Sequence, residues 1–251
     1  MEHTLIQLLI LFVFGFVAGV LNTLAGGGSF LTIPLLIFTG LEPTVANATN
    51  RLGIWIQSIF GLGKFRKMGY FPVKMSLVSA LPALVGSVLG AYLATIVAED
   101  AFRKYLAFFM VLMTLVTFFK PQSDKQLTDF IPSAKGVTVS SMVYFFVGIY
   151  GGFIQAGVGF VVLAYCVLYG LDYVRGNAVK MFINLLTATL SLVIFIYYDK
   201  VVWLPGVCLG AGMAVGAVLA ASFSVKAGNK FLKRFVSVAV IIFAVLLIIK
   251  K

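Results

Sequence analysis

The chain has 251 residues, 61% of them hydrophobic and 11% charged, with 19 basic against 8 acidic side chains. A soluble domain keeps roughly a quarter of its residues charged, so this composition cannot cover a globule with wettable surface and excludes an ordinary soluble protein. The formal charge of +11 would suggest nucleic acid for a soluble chain; in a membrane protein, Lys and Arg held in cytoplasmic loops account for it, and no nucleic-acid partner is expected.

Apolar residues come in runs, at 5–24, 72–98, 105–119, 181–198, 201–225 and 235–249. Crossing a bilayer takes about 20 apolar residues at 1.5 Å each, and backbone groups in lipid must bond internally, which selects helices. The first run follows Met1-Glu2-His3, a flank without a basic cluster. It is longer than a cleaved signal core and is expected to be the first membrane segment. The next feature along the chain is Ala25-Gly26-Gly27-Gly28. Glycine costs about 1 kcal/mol in a helix interior, so residues 5–40 are expected to form a hairpin or discontinuous helix. Then come Asn47-Ala-Thr-Asn-Arg51 at the start of an apolar helix, a basic connection at Lys64, Arg66 and Lys67, and a near-neutral loop at 99–104. Residues 120–135 are polar, with two prolines. Past them, 137–170 is again too long for one helix and is expected to break within 148–159.

The second half repeats the first. At an offset of 130, Gly27 falls on Gly157, Phe30 on Phe160, Gly40-Leu41 on Gly170-Leu171, and Asn47-Ala48 on Asn177-Ala178. The later segments follow with a small drift, ending with the match of 102–116 to 231–245. The expected fold is therefore an all-α integral membrane protein with two repeats, 1–120 and 136–251, joined by a polar loop at 121–135. Each repeat comprises a glycine-broken hairpin or discontinuous helix plus about three transmembrane helices. Placing the basic connections 64–67 and 226–234 on one side requires an odd number of crossings per half. The repeats are then inverted, with both termini outside the cytoplasmic membrane, an arrangement in which transporters place substrate sites near the midplane.

An enzyme is not expected. The one histidine is His3, and the eight carboxylates lie at or near the ends of apolar runs, whereas acid–base chemistry and metal sites need such groups together in a protected pocket. No cofactor and no metal site are expected, and Cys166 and Cys208, both in apolar runs, imply no disulfide. A mid-membrane carboxylate is also lacking, which disfavours a cation or proton pump, although a lysine or the substrate itself can carry a proton. What remains is cationic and amide chemistry. Arg51 and Lys180 occupy matching places in the repeats and are surrounded by Asn47, Thr49, Asn50, Asn177 and Asn184. The alternative for the two cations is snorkelling to an interface. Bare N–H groups at Gly26, Gly27, Gly28 and Gly157, with Ser29 as a cap and Gln155 as a donor, add an anion-seeking helix start. Together these residues form the candidate substrate site for a small anion. The pairs Gly15/Gly19, Gly86/Gly90 and Gly212/Gly216 are assigned to close helix packing, and Trp55, Trp203 and Tyr70 to interface anchoring.

The stretch FVAGVLNTLAGGGSFLTIPLLIFTGLEPTVANATNRLG, from Phe16, and its echo GFIQAGVGFVVLAYCVLYGLDYVRGNAVKMFIN, from Gly152, resemble the TauE/SafE family of sulfite-exporter-like permeases. Shared features are the glycine-rich bend, the Pro-Leu-Leu that follows, the glycine before the next helix and its Ala-x-x-Thr-Asn start; Val158 departs from the pattern where the first half has Gly28. The resemblance implies transport of a sulfur-containing oxyanion, of the sulfite or organosulfonate class. The expected partners are this small anion and the lipid bilayer, with oligomeric state open. Three readings stand: a secondary transporter working by alternating access, a passive anion channel or transporter of another small organic anion, and a non-transporting membrane partner whose amides only knit helices together.

Overall fold

The computed structural model describes the backbone of residues 4–116 and 134–249, and the side chains of 4–113, 136–227 and Arg234. Of the polar connection expected at 121–135, residues 121–133 lie outside the described residues, as do His3, Lys250 and Lys251, while 134 and 135 belong to the first helical turn of the second half. Helices make up the fold in the order α1 (Leu5–Leu24), α2 (Ser29–Phe38), α3 (Pro43–Lys67), α4 (Val73–Ile96), α5 (Glu99–Val116), α6 (Ala134–Phe153), α7 (Val158–Leu168), α8 (Tyr173–Tyr197) and α9 (Trp203–Ile249). Five stretches among the described residues are long and apolar enough to cross a bilayer: Leu5–Leu24, Val73–Ile96, Gly136–Phe153, Tyr173–Tyr197 and Trp203–Ala227.

Solvent preference is inverted relative to a soluble globule. Leu5, Leu77, Leu81, Val193 and Leu219 stand exposed, while Asn22, Asn47, Asn50, Arg51, Gln57, Asn177 and Lys180 are buried. Contiguous exposed apolar faces of this extent need a hydrocarbon solvent. The protein is a multi-pass membrane protein.

Each half contains one interrupted helix. α1 and α2 are separated by residues 25–28, and α6 and α7 by 154–157. The second break is shorter than the 148–159 expected, because Gly148 and Gly152 lie inside α6 and serve packing. A Cβ on Gly148 would come within 2.2 Å of the Ala83 carbonyl oxygen, and one on Gly152 within 2.3 Å of that of Ser87. Gly86 and Gly90 of α4 approach α6 equally closely. The same crossing joins α1 to α9, where Gly15 and Gly19 meet the Leu209 and Met213 carbonyls, and Gly212 and Gly216 meet those of Phe12 and Phe16. Small residues let backbones touch where lipid supplies no hydrophobic drive between helices; all three expected pairs do this.

The helix contacts are related by exchange of the halves. α1 lies along α9 and α6 along α4; α3 packs on α9 and α8 on α4; α2 meets α3 as α7 meets α8; and α3 and α8 pack on each other. The beginning of α3 adjoins the chain following α8: Val202 donates to Thr49 Oγ1 at 3.1 Å, and Lys200 pairs with Glu99, which accepts from the Thr44 backbone N–H at 3.1 Å and from its hydroxyl. Correspondingly, the beginning of α8 adjoins the chain following α3, with the Arg175 guanidinium 5.9 Å from the Tyr70 ring centroid.

Three expected connections are helical: Lys64, Arg66 and Lys67 form the last turn of α3, where basic side chains suit the negative end of the helix. Residues 99–104 form the first turns of α5, where Glu99 and Asp100 suit the positive end of the helix. Residues 226–234 continue α9, since Lys, Arg, Leu and Ala favour helix and no proline interrupts them.

Candidate functional site

The interrupted helices create a physical problem. A helix leaves its last carbonyls without intrahelical donors, and here α1 and α6 both end inside the protein. Each end is supplied with donors by the opposite half. Lys180, on α8, donates to the carbonyls of Asn22 at 2.7 Å and Thr23 at 3.0 Å, in the last turn of α1. Asn177, one turn earlier, donates to the Leu24 carbonyl at 3.4 Å and accepts from Lys180 Nζ at 2.6 Å. On α3, Arg51 donates from its Nη2 to the Gly152 carbonyl at 2.7 Å, and Asn47 to that of Phe153 at 3.0 Å, both at the end of α6. A cation suits the partial negative charge of a helix C-terminus. The snorkelling alternative fails, since Arg51 and Lys180 are both 0% exposed.

The two cations are not equivalent. Lys180 has three ammonium hydrogens and three acceptors. Arg51 has five N–H donors; besides Gly152 it reaches Gln155 Oε1 at 2.7 Å and, weakly, Ser191 Oγ at 3.5 Å. Its Cζ lies 5.6 Å from the Phe195 ring centroid. Arg51 Nε has no partner, and neither does Asn47 Oδ1. Neither ion pair among the described residues, Arg175–Asp172 or Lys200–Glu99, involves Arg51 or Lys180.

The glycine breaks meet back to back between these clusters. A Cβ on Gly26 would fall 2.3 Å from the Gly159 carbonyl carbon, and Gly26 holds φ at +108°. Phe30 and Phe160 stack across the junction at 6.1 Å between centroids. Gly157, at φ +82°, is the N-cap residue of α7. No acceptor among the described residues takes the N–H groups of Gly27, Gly28 or Ser29.

The remaining expected site residues fall in several places. Gln155 carries Arg51 on its Oε1 and donates to Asn184 Oδ1 at 3.4 Å, so Arg51, Gln155 and Asn184 form one connected group, with Asn47 on the carbonyl next to the one that Arg51 holds. Ser29 is the first residue of α2 and leaves the cap position to Gly28. Its hydroxyl accepts from Asn50 Nδ2 at 3.2 Å, while Thr32 donates to Asn50 Oδ1 at 2.6 Å. Asn50 thus ties α3 to α2. Thr49 points away, towards the start of α9, as described above. Sequence reasoning missed Asn22 and Gln57, which bond each other at 3.0 Å, and Thr23, which accepts from Gln57 at 3.2 Å. Both amides sit in apolar sequence, the cue that flagged Asn47 and Asn177; Ser191 carries no such cue.

The sequence pattern described as "Sulfite exporter TauE/SafE" matches residues 11–247. The chain belongs to the sulfite exporter TauE/SafE family. Among relatives of this TauE/SafE protein, a probable membrane transporter protein of a Sinorhizobium species is 29% identical over 245 residues, covering 95% of this chain and 91% of its own length. One from Haemophilus influenzae is 30% identical over 238 residues, covering 91% and 89%. The probable membrane transporter protein YfcA of Escherichia coli is 28% identical over 228 residues, covering 89% and 83%. Relatives of this TauE/SafE chain are thus named as transporters, over nearly their whole lengths.

Proposed function

We propose that the chain is a secondary transporter carrying a small sulfur-containing oxyanion, of the sulfite or organosulfonate class, across the cytoplasmic membrane. The observation that carries this reading is Arg51: a fully buried guanidinium with no carboxylate partner and an Nε that bonds nothing among the described residues. An isolated buried charge costs several kcal/mol unless it is compensated, and an anion with acceptor oxygens compensates it. Asn47, Gln155 and Asn184 surround that position, and the N–H groups of 27–29 add positive potential from the break. Lys180 contributes field and holds the end of α1 in place, its own donors being already engaged.

Alternating access is favoured over an open pore because Asn47, Arg51, Gln155, Asn177, Lys180 and Asn184 are all 0–4% exposed. A continuous channel would leave its lining wet. The halves are inverted in this reading, with the end bearing Lys64, Arg66, Lys67 and Arg175 facing the cytoplasm and the termini outside. The exchange-related helix contacts support the arrangement that inverted-repeat transporters use.

The test is uptake of labelled sulfite and of a short sulfonate into proteoliposomes. Saturable uptake, accelerated by unlabelled anion on the far side and abolished in Arg51→Ala, is expected. Undiminished transport in Arg51→Ala overturns the site; flux without saturation or counterflow favours a channel.

A further inference from the structure

We propose that the Asn47–Arg51 site selects a monoanion that still carries one acidic proton, such as hydrogen sulfite, with its charged oxygen on Arg51 Nε–H and its hydroxyl donating to Asn47 Oδ1. This rests on the anion reading above and specifies the protonation state that it takes. Asn47 and Arg51 are four residues apart on α3, hence neighbours on one helix face. They are held on consecutive carbonyls at the end of α6, those of Phe153 and Gly152. Anchored this way, each presents one unused polar atom, and the two are of opposite kind: Nε is a donor and Oδ1 an acceptor. A fully deprotonated oxyanion can satisfy only the donor and would face the amide oxygen with like partial charge. A neutral molecule could satisfy both but would leave the guanidinium without a counter-charge. A singly charged acid with one hydroxyl answers both demands.

The one further buried side-chain polar atom without a partner among the described residues, Ser58 Oγ, lies on the same face of α3, seven residues beyond Arg51. At 3.6 residues per turn this is nearly two full turns, so the three unpartnered atoms form one line along α3. A hydroxyl can donate or accept, which suits passage of an anion that does both. The titratable group facing Arg51 from α6 is Tyr150, whose hydroxyl donates to the Ala156 carbonyl; Lys180, on α8, is engaged at the end of α1.

The experiment is calorimetric binding to the purified full chain, with sulfite and with methanesulfonate as probes, from mildly acidic to mildly alkaline pH. Methanesulfonate has the same charge as hydrogen sulfite and no proton to donate. Apparent sulfite affinity should track the hydrogen-sulfite fraction, falling about ten-fold per pH unit once sulfite predominates. Methanesulfonate should bind about ten-fold more weakly than hydrogen sulfite and show no pH dependence. Asn47→Leu should abolish the preference for hydrogen sulfite over methanesulfonate; losing the Nδ2 donor to the Phe153 carbonyl weakens both probes alike, so the ratio of their affinities is the readout. Sulfite affinity that is flat or rises with pH overturns the inference while sparing the anion site, as does an unchanged ratio in Asn47→Leu. If that variant does not fold, the unmodified chain's pH series decides alone. Failure of both probes to bind the unmodified chain removes the anion site itself, and this inference with it.

Discussion

Gly26 and Gly63 give opposite answers to the same substitution. At Gly26 an alanine Cβ would lie 2.3 Å from one backbone atom of the other half and 2.5 Å from a second, the Phe160 nitrogen, while φ is held at +108°. A non-glycine residue in such a conformation costs about 1 kcal/mol, and forcing a methyl into a filled junction adds about 2 kcal/mol. The neighbouring atoms are main chain of the α6–α7 unit and cannot rotate aside. At Gly63, inside α3, a Cβ meets nothing within 4 Å, and alanine should gain about 1 kcal/mol of helix propensity. Since 1 kcal/mol moves the midpoint by about 2–4 °C in a chain of this size, Gly26→Ala should unfold about 10 °C below the unmodified protein and Gly63→Ala slightly above it. Thermal unfolding of the detergent-purified variants, followed by loss of monodisperse protein, measures both. Gly26→Ala unfolding at the unmodified temperature would refute the back-to-back packing of the breaks.

Other consequences follow from the same geometry. Asp172 caps α8 by accepting from the Arg175 backbone N–H at 2.8 Å; Asp172→Ala should cost about 1 kcal/mol, seen as a fall of a few degrees in the unfolding midpoint with the transport KM unchanged. The accompanying ion pair, with Arg175 32% exposed, should contribute little, so added salt should not reproduce the loss. Lys180→Met would leave the Asn22 and Thr23 carbonyls and Asn177 Oδ1 without their donor, at about 1–3 kcal/mol for each unsatisfied group. A sharp drop in folded yield is expected, with anion-induced stabilisation retained by the molecules that do fold. Loss of that stabilisation at normal yield would mean that Lys180 touches the anion.

The architecture was legible where a local signal existed. Three consecutive glycines after a 20-residue apolar run mark the first break, and the offset of 130 finds its mate. Glycines four apart mark both close crossings. Within the site, polarity in apolar sequence found Asn47, Arg51, Asn177 and Lys180, but the assignment of their hydrogen bonds lay beyond it. Arg51 is 101 residues from the Gly152 carbonyl, and Lys180 is 158 from that of Asn22; a carbonyl needing a donor has no side-chain signature. Thr49 shows the converse error. It shares a segment with Asn47 and Arg51, yet 100° per residue turns it towards α9. In sequence the basic stretch 226–234 reads as a loop because charge interrupts apolarity there; helix propensity does not stop at charge, and α9 runs through it.

The most direct test of the anion site is the unfolding temperature of the purified protein across a panel of sulfite, sulfate, thiosulfate, short sulfonates, carboxylates and phosphate, repeated with Arg51→Ala. A ligand at about 100 times its dissociation constant adds about 2.7 kcal/mol to the folded state. Selective stabilisation by a sulfur oxyanion that disappears in Arg51→Ala is expected. Stabilisation by none of the panel, or the same stabilisation in Arg51→Ala, would contradict it.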